Sequence, residues 1–168
     1  LPWGADSRGP DAVRPLAAAD TVHHDGIYPG ADERYRVEAG RLKHDIVLVE
    51  PPAPLGTPVE PGASLSFEYT VLLTPGLEPR VDGAVRRGDF QTDGAIVLHR
   101  GRRPVLELGA PYAYEQGDEY SRSTATTRWT EVDGLVRMSV DVPLQWLLDP
   151  ARSYPVVIDP TVSSPSDA

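Results

Sequence analysis

Residues 64–73 read SLSFEYTVLL, and their alternation decides the fold. Leu65, Phe67, Tyr69, Val71 and Leu73 fall on one side of an extended chain, with Ser66, Glu68 and Thr70 on the other. A period of two marks a sheet with one wet face, because successive strand side chains point in opposite directions. Pro75-Gly76 ends the run. Outward from it the same texture recurs. Upstream, Glu33 to Glu38 and Arg41 to Glu50 form a hairpin across Ala39-Gly40, and a turn at Tyr28-Pro29-Gly30 precedes it. Downstream come Leu77 to Val81, Ala84 to Phe90, Ala95 to Arg100 and Pro104 to Leu108, with Asp82-Gly83, Asp93-Gly94 and Gly101 as turns. A second strong hairpin turns at Asp133-Gly134, with Val136, Met138, Val140 and Val142 alternating behind it.

Two further segments complete the pattern. PLQWLLDP (143–150) is the one helical candidate: Pro143 suits a first turn, Leu144, Leu147 and Leu148 have helical spacing, and Pro150 stops it after about two turns. YPVVID (154–159) is an apolar closing strand with Val156 and Ile158 facing one layer and Val157 the other, which suits the middle of a sheet. Roughly nine or ten short strands at the 8–12-residue spacing of sandwich folds predict an all-β chain. The expected architecture is an antiparallel β-sandwich with one short helix near 143–149, and a barrel is the alternative.

Size and composition agree. At 168 residues the chain suits one domain, near the usual 100–200 residues or so. The reading divides it into an N-terminal arm or linker (1–20), the sandwich (21–162) and a C-terminal linker (163–168). With 16 Lys and Arg against 25 Asp and Glu, the net charge is −9. Such a surface argues against nucleic acid, whose phosphates demand clustered cations. Arg86-Arg87 and Arg100 with Arg102-Arg103 flank turns and read as solvated loop charges. There is no cysteine, so disulfides, thiolate metal sites and a cysteine nucleophile are excluded. No apolar stretch approaches the roughly 20 residues of a membrane span. The sequence starts at Leu1 and holds one methionine, Met138, which suggests a processed product or a piece of a longer protein.

Three stretches carry a resemblance. IYPGADERYRVEAGRLKHDIVL (27–48), DGAIVLHRGRRPVLELGAPYAY (93–114) and DPARSYPVVIDPTV (149–162) occur in that order. Together they resemble the β-rich domain that precedes propeller-like SBBP repeats in secreted bacterial proteins. Relatives of that domain stand ahead of lectin-like, DNRLRE or Rhs-type regions in large surface proteins. The resemblance covers Thr21 to Val162 and implies an extracellular or cell-surface module of a long bacterial chain, without catalytic residues to carry over. Lys43-His44 departs from that pattern, where an acidic-aromatic pair is common, and the Pro51 to Pro61 loop is this chain's own.

The chemistry-bearing residues are sparse. His23, His24, Asp25, Asp32 and Glu33 lie close in sequence, but adjacent histidines of a strand point to opposite faces. A calcium site would need six to eight oxygens, of which Asp25, Asp32 and Glu33 supply part. Asp32 and Asp159 read as turn acids that accept backbone N–H groups. Glu115, Asp118 and Glu119 read as a solvated acidic loop rather than as a glycosidase pair. No Gly-x-Ser-x-Gly elbow and no phosphate loop occur, and His44 and His99 read as satisfied sheet residues. Tyr112, Tyr114, Tyr120 and Trp129 are candidates for a sugar-stacking platform, with core packing as the alternative.

The expected function is therefore a non-catalytic structural or interaction module, a spacer, adhesion or assembly domain. Its partners would be proteins or neighbouring domains of the same chain, with strand addition into filaments as a variant. A carbohydrate- or calcium-binding module is the second expectation and a hydrolase the last. No cofactor other than calcium is expected.

Overall fold

The structure, a computed structural model, describes residues 14–132 and 134–165. Four strands open the chain as a meander: β1 (Leu16–Ala18), β2 (Thr21–Tyr28), β3 (Ala31–Glu38) and β4 (Arg41–Leu48). Next come β5 (Ser64–Val71), β6 (Leu77–Val81), β7 (Ala84–Val85), β8 (Phe90–Thr92), β9 (Ile96–Arg100) and β10 (Arg103–Leu108). They are followed by β11 (Tyr112–Glu115), β12 (Asp118–Thr124), β13 (Thr126–Val132) and β14 (Leu135–Pro143). Helix α1 (Leu144–Leu147), the one helix among the described residues, precedes β15 (Val156–Asp159) and β16 (Val162–Ser163). The fold is all-β, and every strand pair is antiparallel.

Two sheets result. The smaller runs β5-β14-β13-β8, and the larger runs β1-β2-β3-β4-β16-β10-β9-β6-β7, with β15, β11 and β12 beside that path. Their facing sides close on a core that takes Ile46, Leu48, Ala113, Val156 and Ile158 from the large sheet and Phe67, Val140 and Val142 from the small one. A second cluster joins Val81, Ile96 and Leu98 to Trp129 and Val136. Apolar area of this kind contributes about 25 cal/mol per Å² removed from water, which is what holds the layers together. The β5 alternation works as read: Leu65, Phe67 and Tyr69 face the first cluster, while Val71 and Leu73 face the second. Leu72, out of phase, is exposed.

The closing strand occupies the middle of the large sheet. Val156, Val157 and Ile158 pair with Leu48, Val47 and Ile46, and Val162 and Ser163 pair with Leu42 and Arg41. Both sets share one register, so residues 156–163 form a single path along β4, interrupted where Pro160 has no N–H to give. On its other flank β15 pairs with β11 and β16 with β10. Beyond these the sheet forks, β12 continuing from β11 and β9 from β10.

Several expectations need correction. Sixteen strand segments appear among the described residues instead of nine or ten: β1, β2, β11 and β12 are not among the expected strands, 84–90 divides in two, and Pro160 sets β16 apart from β15. The run Ala84 to Phe90 is not one strand. It leaves the large sheet after Val85, passes Gly88 at φ 65, and enters the small sheet at Phe90. The helix is one turn, not two: Pro143 still belongs to β14, paired with Ser64, and the Leu148 N–H closes the turn onto the Leu144 carbonyl. β1 lies inside the segment expected as an arm, and β16 carries pairing to Ser163. Residues 1–13 and 166–168 of the two expected linkers, and Asp133 of the Asp133-Gly134 turn, lie outside the described residues. The Val132–Leu135 pair closes the hairpin around that turn.

Candidate functional site

β4 places two consecutive residues, Lys43 and His44, on opposite faces of the large sheet, and each anchors a polar cluster. On the inner face His44 sits across from Tyr35, whose ring stacks on it at 4.4 Å between centroids and 5° between planes. His44 Nε2 lies 2.7 Å from Glu33 Oε1, and His24 Nδ1 lies 3.9 Å from the other carboxylate oxygen. Tyr69 of the small sheet meets the His44 ring edge-on at 5.6 Å. Burial pushes the Glu33 carboxyl up, but hydrogen bonds with His44 and Tyr35 and the neighbouring histidines outweigh it, so Glu33 titrates below its ordinary range. Tyr35 is driven up by burial and by the Glu33 carboxylate, and Tyr69 mainly by burial. This is an acid–imidazole pair walled by aromatic rings between two sheets.

On the outer face the register sets Asp159 opposite Asp45, two like charges side by side, which by itself destabilises a sheet. Lys43, diagonal to Asp159, relieves it. Lys43 Nζ lies 3.1 Å from Asp159 Oδ2 and 3.5 Å from Asp45 Oδ1. The Tyr112 hydroxyl donates to the same Oδ2 at 3.1 Å. Asp159 Oδ1 accepts the Thr161 backbone N–H at 3.0 Å and the Thr161 hydroxyl. Asp159 is only 4% exposed although it lies on the outer face. Burial lowers the Lys43 affinity for its proton, but the hydrogen bond and charge of Asp159, with Asp45, reverse this and hold the ammonium above its ordinary range. Burial and the Asp159 charge raise Asp45 above the usual carboxylate value despite Lys43. Chemically the cluster holds an amine against a carboxyl carbon whose two oxygens are both hydrogen-bonded.

The residues singled out from sequence are scattered over this frame. Tyr112 and Tyr114 do share a face, with ring centroids 5.6 Å apart. Tyr120 stands at 98% exposure on β12. Trp129 is 0% exposed, inside the second core cluster and stacked on Phe90, so the four aromatics form no common platform. Asp25 is exposed, Asp32 points outward and accepts the Gly26 N–H at 2.7 Å, and Glu33 points into the core. Strand alternation therefore separates the three acids proposed for calcium. Among the described residues no three His, Asp or Glu side chains are spaced to hold an ion. Glu115 is not a loose loop acid: Arg152, itself laid over the Trp146 ring, binds it at 2.7 Å, and the Ser153 N–H adds a second bond.

From sequence Asp159 reads as a turn acid, which its bonds to Thr161 satisfy, and Lys43 as a departure from the domain that the three motifs resemble. Their meeting is new. Lys43 and Asp45 two apart on one strand face, with an acid in a buried apolar strand, is the only local trace of it.

The fold and these clusters define a two-sheet antiparallel β protein whose larger sheet carries a polar cluster on each face of β4. Compared with family models, curated proteins and solved structures, the chain matches none of them.

Proposed function

We propose that this chain is a non-catalytic structural and interaction module of a secreted or cell-surface bacterial protein, serving as a spacer, adhesion or assembly domain. One observation carries the reading: the path Val156–Ser163 is clamped on both flanks, by β4 on one side and β10 and β11 on the other. A strand in that position leaves only when two ladders break together, which suits a domain that must stay folded under load. The polar groups support the same reading, since Glu33, Asp159 and Glu115 each hold partners within the chain rather than projecting toward a substrate. No helix among the described residues is long and apolar enough to cross a membrane.

The resemblance of the three motifs to the domain ahead of SBBP repeats supports the bacterial surface setting. Single-molecule pulling of the chain between its two ends tests the mechanical role. Unfolding at forces typical of a β module is expected, and extension without a force peak overturns it.

The pair Tyr112 and Tyr114 favours a second reading, a carbohydrate-binding module, because adjacent half-buried rings on an outer face suit the apolar face of a sugar. A glycan array compared between the wild type and Tyr114→Ala decides it. Binding lost in the variant supports the reading, and a blank wild-type array removes it.

A further inference from the structure

The outer cluster of β4 has the composition of an acyl-transfer site with the acyl group already in the protein. We propose that Lys43 and Asp159 condense into an intramolecular amide that ties β4 to the closing strand. This goes beyond the surface-module reading and does not depend on it.

Each part of the reaction has a group in place. The nucleophile is Lys43 Nζ, 3.1 Å from Asp159 Oδ2 and therefore next to the carboxyl carbon that bears that oxygen. Charge that develops on Oδ1 when the carbon is attacked meets the Thr161 N–H at 3.0 Å and the Thr161 hydroxyl, donors that stand there before any reaction begins. Oδ2 is the oxygen that departs, and the Tyr112 hydroxyl already donates to it at 3.1 Å. Asp45 Oδ1, 3.5 Å from Nζ, is the base. Burial raises its affinity for a proton, as a relay between nitrogen and oxygen requires.

The balance closes without a co-reactant. The ammonium passes one proton across its hydrogen bond to Oδ2, leaving a neutral amine and a carboxylic acid. Nζ attacks the carboxyl carbon and the C–N bond forms. Asp45 takes the second proton from nitrogen and gives it to the departing hydroxyl, the C–Oδ2 bond breaks, and one water leaves. Asp45 ends as it began.

Two features of the site favour the amide over the ion pair. Burial of the side chains of Lys43 and Asp159, 19% and 5% exposed, acts against the charged forms and so toward the proton transfer, although the pairing with Asp159 and Asp45 holds the resting ammonium. The sheet register also fixes amine and acid as diagonal neighbours, so the encounter is intramolecular and already oriented. The bond would join residues 116 apart in a chain with no cysteine.

The mass of the denatured 168-residue chain, followed at neutral pH until constant, reads the bond directly. A mass one water below that of the sequence is expected, with a branched tryptic peptide joining the Lys43 and Asp159 segments. Lys43→Arg, which keeps the charge, is expected to restore the full mass, and Asp45→Asn to slow or abolish the loss with the circular dichroism unchanged. A wild-type chain at its full sequence mass overturns the proposal. So does a water loss that survives in Lys43→Arg, which belongs to succinimide formation at one of the four Asp-Gly steps, Asp25-Gly26, Asp82-Gly83, Asp93-Gly94 or Asp133-Gly134. Loss at the wild-type rate in Asp45→Asn leaves the bond standing and removes the relay.

Discussion

His44 and Lys43 are neighbours in sequence, yet they live in opposite electrostatic worlds. His44 and its partner Glu33 are buried between two sheets among Tyr35 and Tyr69. Lys43 and its partners Asp159 and Asp45 lie on the outward face, sheltered by their own packing and by Tyr112 rather than by a second sheet. The inner cluster has one carboxylate, held below its ordinary range because the hydrogen bonds it accepts outweigh burial. The outer cluster has two, and crowding leaves Asp45 raised. A pair sealed in a core is satisfied by its geometry. A crowded triad on a face keeps one carboxyl, Asp45, whose affinity for a proton is raised.

The comparison breaks most visibly at Glu33. Glu33→Ala leaves the His44 ring and the Tyr35 hydroxyl without their carboxylate between the sheets, and is expected to cost roughly 3–5 kcal/mol in urea unfolding. A loss as small as that of a surface pair would erase the distinction between the faces. Tyr112→Phe, its outer counterpart, deletes one hydrogen bond to the free Asp159 carboxylate and keeps the ring, and is read in the Lys43→Arg background, where no amide forms. About 0.5–1.5 kcal/mol is expected from the same measurement.

Acid sharpens the contrast further, because the two faces titrate with opposite sign. Glu33 has a folded pKa below its ordinary 4.5, so its contribution is present above 4.5 and fades as pH falls through the lowered folded value. Asp45 has a folded pKa above its ordinary 3.8. Its contribution is most favourable below 3.8 and declines as pH rises from there through the raised folded value. Stability measured between pH 3 and 6, or thereabouts, is expected to lose part of its rise with pH in Glu33→Gln and to rise more steeply in Asp45→Asn. Slopes that move the same way in both variants would contradict the assignment. The smallest effect is expected at Tyr120, at 98% exposure, where Tyr120→Ser should leave the melting temperature almost unchanged, within about 0.5 kcal/mol of wild-type stability.

Much of the fold was legible because strand formation writes itself locally. The alternation of 64–73 and the turns at Gly30 and Gly40 lie where their residues pointed, and the closing strand expected over 154–159 forms over Val156–Asp159. The failures have physical causes too. β1 and β16 have two or three residues, too few to show a period, and Ala84 to Phe90 reads as continuous although Gly88 lets it change sheets. The aromatic platform failed because Tyr112 belongs to the large sheet and Trp129 to the small one, a separation that no spacing of aromatics reveals. The separation of Asp32 from Glu33 follows a rule that sequence does carry, since the two are adjacent in a strand and face apart.

From the sequence alone came the class of the protein, its acidic cysteine-free character, and the burial of Val156 to Ile158 on both sides, because alternation, charge and apolar runs act over a few residues. Only the folded chain set Asp159 beside Lys43 and Asp45, because that meeting depends on which strand pairs with β4 and in which register. Such pairing is decided by the whole core at once, and no short stretch of residues encodes it.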